Sequence, residues 1–159
     1  MIIGHEELAG IRKRHPGQVL VYASGCFDII HPGHLRLVQH VKSLGDVAII
    51  GVTPDTRVRR RKGPGRPINP QDTRAAIVDA LRCVDYTLIT PEAVPDVRVV
   101  GHHVLQQLRP DIYVTDDPAW RADEGMLNGQ DTQLLPGPTP LAGVSTTTII
   151  NRILAHRSV

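Results

Sequence analysis

The chain has 159 residues, 41% of them apolar but only 3% aromatic, enough for one ordinary domain around an aliphatic core of Val, Ile, Leu and Ala. A formal net charge of +2 is too small for wholesale nucleic-acid binding, and no run of about 18 apolar residues reads as a membrane span. Cys26 and Cys83 form neither a CxxC pair nor a disulfide framework. With no n-region or h-region of a signal peptide, a reduced, cytoplasmic protein is expected.

Residues 1–17 read as a lead-in to a single domain over 1–159, with its core at 18–155. The first element is the apolar run VLVYAS, 19–24, ended by Gly25: a buried strand. A loop holding His31 and His34 follows, then HLRLVQHVKSLG, 34–45. There Leu35, Val38, Val41 and Leu44 recur at three-residue steps, an amphipathic helix closed by Gly45. VAIIGV, 47–52, is a second buried strand, so the three elements make a βαβ unit. The stretch 54–70, rich in Arg, Gly and Pro, reads as a loop, and Pro70 and Asp72 as the start of a helix reaching Val84. A strand YTLIT (86–90), a helix over 97–108, a strand DIYVT (111–115) and a last strand TQLLP (132–136) come next. Ser145 is an N-cap for the final helix. The expected fold is a doubly wound, mainly parallel five-stranded Rossmann-like α/β sheet with helices on both faces. Ligands of such sheets sit beyond the carboxyl ends of the strands, here the loops 25–34, 53–57 and 115–120.

His31 and His34 are poorly spaced for a helical metal pair, which uses a step of four. Pro32 and Gly33 put them at the mouth of a helix instead, where free N–H groups and partial positive charge hold phosphate. His102 and His103 read as packing or surface residues, and Cys26 has no neighbouring base to make it a nucleophile.

GCFDIIHPGH (25–34) resembles the signature of the cytidylyltransferase-like nucleotidyltransferases. Three further stretches carry the resemblance in order from residue 23 to 152. KSLGDVAIIGVTPD (42–55) is similar to the family's helix end and following strand. RKGPGRPINPQDTRAAIVDALRCVDYTLI (61–89) resembles heptose phosphate adenylyltransferases, and GVSTTTII (143–150) resembles the STT-x-I motif.

The resemblance implies that an NTP and a small phosphorylated acceptor yield an NDP-linked product and pyrophosphate, with Mg²⁺. It further implies that His31, His34, Lys42 and Arg74 serve the triphosphate and its transition state. Gly25, Cys26, Phe27, Asp28 and Gly33 would form the nucleotide loop, joined by Ser145, Thr146 and Thr147 at the last helix. Asp28 has two readings: support of the loop through backbone N–H bonds, or a water-mediated hold on Mg²⁺; no direct side-chain metal ligand is expected. Lys62, Arg66, Asp55, Asp117 and Trp120 are the acceptor candidates, with the basic run 57–67 as a loop closing over phosphate. Ser145 has a capping role as its other reading, and Trp120 a packing role.

The match to heptose phosphate adenylyltransferases breaks at TDDPAW (115–120), where those enzymes have KGGDY. That segment is nearer the GDDW of glycerol-3-phosphate cytidylyltransferases, which however lack the 61–67 pattern and carry an arginine before STT. The 61–89 resemblance favours ATP and a sugar or polyol phosphate such as heptose 1-phosphate. The rivals are a CTP enzyme acting on glycerol-3-phosphate, another alcohol phosphate or a phosphonate, and a non-catalytic nucleotide-binding module. The resemblance also implies a homodimer, with neither nucleic acid nor membrane as partner.

Overall fold

The computed structural model describes residues 1–91, 97–118 and 131–156. Its sheet is centred on the two most apolar runs. β1 (Leu20–Gly25) and β2 (Val47–Val52) pair in parallel, Leu20 opposite Val47 and Gly25 opposite Val52. β3 (Tyr86–Ile89) joins β2, β4 (Ile112–Val114) joins the other side of β1, and β5 (Gln133–Leu135) joins β4. The order is β3-β2-β1-β4-β5 and every pair is parallel. Strands covered on both faces must be apolar throughout, which is why β1 and β2 show continuous apolar runs rather than alternation.

The two-residue period divides the core. Leu20, Tyr22, Val47, Ile49 and Leu88 face one side, against Leu8 and Ile11 of α1 (Leu8–Arg14) and Val104, Leu105 and Leu108 of α5 (Val97–Leu108). Val21, Ala23, Ala48, Ile50 and Val52 face the other, against Val38 and Val41 of α2 (Pro32–Ser43) and Ala75 and Val78 of α4 (Gln71–Asp79). The last helix, α6 (Thr146–Ala155), starts at Ser145 as expected. The chain winds outward from β1 to β3 and returns to the far side of β1 with β4, so the switch point is the crevice between the tips of β1 and β4.

Two segments differ in kind from the sequence reading, and α4 stops at Asp79 where the sequence reading carried it to Val84. Residues 1–17 are more than a lead-in: they contain a 3-10 turn (His5–Glu7) and α1, and they bury Ile3, Leu8 and Ile11. Ile3 N–H donates to Thr87 O and Thr87 N–H to Met1 O, tying this segment to β3. Its apolar signal is only two residues long, followed at once by Arg12, Lys13 and Arg14. The basic stretch also begins as a helix, α3 (Asp55–Lys62), rather than a loop. Asp55 in its first turn and four cations in its last complement the helix dipole. Only Val58 is buried, so no apolar stripe announced it.

Candidate active site

His31 is the N-cap of α2, and Pro32 takes the first helical position, where its missing N–H is no loss. The Gly33 N–H donates to His31 Nδ1 at 3.2 Å, which leaves the ring proton of a neutral His31 on Nε2, free to donate onward. Glycine at residue 33 leaves the His31 ring its place: a Cβ there would sit 3.0 Å from it. One turn inside the helix, His34 stacks on His31 with ring centroids 3.8 Å apart and lies against Phe27 at 5.2 Å. Burial, then the charges of His31 and Lys62, push the His34 pKa down to about 4. Burial and Lys62 lower His31 as well. Both rings are therefore neutral near pH 7, and the Nδ1 of His34 is buried without a partner among the described residues. Phe27 itself is fully buried in the left-handed region at φ 50°, so it props the histidines from below and does not face a ligand.

Two buried charged residues shape the loop beside this pair: Arg74 is placed otherwise than expected, and Asp28 follows one of its two readings. Arg74, expected to touch triphosphate, is 0% exposed. Its Nε donates to Asn69 O at 3.0 Å and its Nη2 to Thr53 O and Asp55 Oδ1, both at 2.7 Å, while Nη1 reaches Cys26 O. It thus ties the β1 tip, the β2 tip and the 66–70 loop together from α4. Asp55, expected at the acceptor, is its counter-ion. Asp28 is also 0% exposed and takes the loop-support role. It accepts from the backbone N–H groups of Ile68 and Asn69, both at 2.9 Å, and from Arg66 Nε at 2.8 Å. Burial alone would raise its pKa, but those N–H donors and the Arg66 guanidinium hold it below the usual carboxylate range. Arg66, expected at the acceptor, is ion-paired with this carboxylate through Nε and Nη2.

A cavity of about 560 Å³ opens at the switch point, on the α5 side of the β1 tip. Its walls include Ser24, Gly25 and Cys26 of the β1 tip, Thr53 after β2, Leu37 of α2, and Thr115, Asp116 and Asp117 after β4. The strand-end loops singled out from the sequence do meet here. From α3 come Arg57, Arg61 and Lys62; Lys62 was singled out from the sequence, and the two arginines belong to the basic run 57–67 expected to close over phosphate. Val58, the buried residue of α3, shares its face with Arg61 and Lys62 at steps of three and four, which would have pointed both cations inward had the helix been recognised.

Lys42 does not line this cavity. It sits in the last turn of α2, about 15 Å along the helix axis from the histidines. There its Nζ bonds Asp85 Oδ2 at 2.7 Å and Asp46 O at 2.5 Å, at the amino-terminal edge of the sheet. Ser145 caps α6 through a 3.0 Å bond from the Thr148 N–H; Thr146 is buried and Thr147 exposed, and none of the three lines the cavity. Trp120 lies outside the described residues. His103 stacks on His5 at 4.7 Å, the packing role expected of it.

For a divalent ion, Asp28 does not fit, since both its oxygens are spent on the loop and Arg66. Among the described residues no group of three His, Cys, Asp or Glu is placed to hold a metal. The donor set suits an ion that arrives on polyphosphate and needs one or two protein carboxylates at most, and Asp116 and Asp117 are the ones lining the cavity. No helix among the described residues is long and apolar enough to cross a membrane.

Comparison with known proteins shows the family and the fold. The family described as Cytidylyltransferase-like matches residues 22–154. The bifunctional protein HldE of Syntrophotalea carbinolica is 35% identical over 147 residues, 89% of this chain and 28% of that protein. HldE of Streptomyces coelicolor is 39% identical over 149 residues, 91% and 30% of the two chains. This chain therefore spans under a third of the length of these relatives. Among solved structures, a lipopolysaccharide core biosynthesis protein of Thermoplasma volcanium superposes with a TM-score of 0.63 at 26% identity, covering 77% of this chain and 98% of that one. The pantoate-beta-alanine ligase of Francisella tularensis shares the fold, with a TM-score of 0.58 at 15% identity over 98% of this chain and 79% of its own.

Proposed function

The chain belongs to the cytidylyltransferase-like family and is a nucleotidyltransferase, and from that premise we propose that it transfers AMP from ATP to the phosphate of a small sugar or polyol phosphate such as heptose 1-phosphate. The observation that carries the reading is the neutral, stacked His31–His34 pair on the N-terminus of α2, beside a cavity walled by Arg61 and Lys62. A phosphate oxygen of the acceptor attacks the α-phosphorus, the new P–O bond forms in line as the bond to the β-phosphate breaks, and pyrophosphate leaves with that electron pair. No proton has to move for this displacement, so the residues need only position and stabilise charge. Neutral imidazoles are suited to this, because the Nε2–H of His31 and an N–H of His34 donate to phosphoryl oxygens whose charge rises in the transition state. The free N–H groups of α2 add to that field. Arg61 and Lys62 hold the acceptor phosphate against its own repulsion by the nucleotide. Mg²⁺ carried on the polyphosphate, met by Asp116 or Asp117, neutralises phosphate charge when bound.

The choice of ATP and a sugar phosphate rests on the 61–89 resemblance and on the relatives named HldE. Asp116 and Asp117 in the cavity favour the second reading, a CTP enzyme acting on glycerol-3-phosphate or a related phosphate. Pyrophosphate release, measured with each of four NTPs against sugar 1-phosphates, glycerol-3-phosphate, phosphocholine and a phosphonate, decides between them. Turnover with CTP and glycerol-3-phosphate but not with ATP and a sugar phosphate overturns the first choice. Tight NTP binding without turnover on any acceptor overturns both in favour of a binding module.

A further inference from the structure

Two of the chain's three tyrosines meet under the cavity. Tyr22 of β1 and Tyr113 of β4 are register partners, stacked with centroids 5.3 Å apart and 1% and 5% exposed. Two residues further along, hence on the same face, stand Ser24 in β1 and Thr115 just past β4, and Thr90 follows β3 on that face as well. All five line the cavity. Their hydroxyls are linked: Tyr22 bonds Ser24, Tyr113 bonds Ser24 and Thr115, and Thr115 Oγ1 accepts from the Asp117 N–H.

Packing alone does not call for this tier. Elsewhere on that face the sheet presents Leu20, Val47, Ile49 and Leu88, with Tyr86 at its amino-terminal end answered by His15, and Phe or Leu would fill the positions of Tyr22 and Tyr113 at similar volume. The fold even gives up a side chain to admit a phenol. Gly51 lies in the interior of β2 on this face, and a Cβ there would stand 2.4 Å from the Tyr22 hydroxyl and 2.9 Å from Thr90 Cγ2. Glycine weakens a central strand, and it marks a place where something must approach the backbone closely.

We propose that the tier of Tyr22, Ser24, Thr90, Tyr113 and Thr115 is the specificity surface of the acceptor site, selecting a polyhydroxylated body while Arg61 and Lys62 take its phosphate. The proposal rests on the transfer reaction above and names its acceptor class. Each hydroxyl offers one donor and two lone pairs, and the internal links leave capacity for a ligand. A site built this way favours a partner rich in hydroxyls, because an acceptor lacking them would strand desolvated polar groups. Sugar and polyol phosphates fit; phosphocholine does not.

The test is kinetic and thermodynamic. Tyr22→Phe and Tyr113→Phe should each raise KM for a hexose 1-phosphate by roughly tenfold, leaving the KM for NTP and the melting temperature unchanged. Their preference for that acceptor over phosphocholine should shrink by the same factor. Tyr86→Phe, at the opposite edge of the sheet against His15, is the control for the substitution itself. Unchanged acceptor KM in both variants, or equal losses for hydroxylated and bare acceptors, overturns the proposal. Calorimetric titration of wild type with hexose 1-phosphate, glycerol-3-phosphate and phosphocholine, without NTP, separates the two layers. Hydroxyl-dependent binding without turnover sinks the reaction and keeps the surface. Turnover with no preference for hydroxylated acceptors sinks the surface and keeps the reaction.

Discussion

Two groups of cations stand within twenty residues of one another and differ in what holds them. Arg66 is ion-paired with Asp28, and Arg74 is enclosed by protein, its guanidinium spent on Asp55 and three backbone carbonyls. Arg61 and Lys62 are exposed residues on the inner face of α3 and line the cavity. The first group is scaffolding that sets where the β1 and β2 tips lie, and the second is charge left available to a phosphate. A motif that lists an arginine beside a nucleotide loop does not distinguish these roles, whereas burial and donor accounting do.

The most severe way to break the contrast is Arg74→Met. It strips a cation from a fully buried network and leaves Asp55 unpaired, with the carbonyls of Asn69, Thr53 and Cys26 short of a donor. A loss of about 3–5 kcal/mol in unfolding free energy follows, read by urea denaturation at fixed pH. Native stability with only kcat reduced would make Arg74 a phosphate ligand and dissolve the distinction. Next in size, His31→Ala and His34→Ala should keep the fold and each cut turnover by about 10²–10³, measured as pyrophosphate release with the acceptor that supports wild-type activity.

The pH dependence of stability sharpens the picture of the histidine cradle. His34 is held near pKa 4 in the native state against 6.5 unfolded. Between those values the unfolded chain takes up a proton that the native chain refuses. Stability is therefore complete above about pH 6.5 and falls as pH drops toward 4, by on the order of 2–3 kcal/mol. Asp28 has the opposite chemistry and a lower window: its depressed pKa costs stability only below the usual carboxylate range. His34→Gln should flatten the upper window and leave the lower one. Smaller again is Lys62→Ala, predicted to lower kcat/KM by about 10–100-fold through the phosphate contact without moving the urea midpoint.

Much of this was legible in the sequence because the relevant signals are local. The apolar runs 19–24 and 47–52, the Pro32–Gly33 helix mouth and the Ser145 cap each declare themselves within a few residues. The sheet, its parallel sense and the histidine pair at a helix mouth followed from them. What stayed hidden depends on pairing across the fold. Asp28 finds its partners forty residues away in the backbone of Ile68 and Asn69, and Arg74 finds carbonyls on two strand tips. The tyrosine pair requires β4 to lie beside β1, which no local pattern dictates. α3 was missed for another reason: its charge density masked a helix whose single buried residue, Val58, cannot make a periodic stripe.

Lys42 and Lys62 supply the finest version of the comparison, since the sequence proposed both for phosphate. Lys42 closes α2 at the far edge of the sheet, where it joins Asp85 and the Asp46 carbonyl below β2 and β3. Its side chain is 36% exposed and that of Asp85 38%, so solvent screens the pair and its worth is at most about 1 kcal/mol. Asp85 also accepts from the Ala48 N–H, a bond that survives removal of the lysine. Lys42→Ala should accordingly cost about 0.5–1 kcal/mol in unfolding free energy and leave both KM values and kcat within about twofold. The same assay on Lys62→Ala should give the reverse, a kinetic loss without a stability loss. A Lys42 variant with normal stability and crippled turnover would mean that charge reaches the reaction from the opposite edge of the sheet, and the division between scaffold and substrate cations would have to be redrawn.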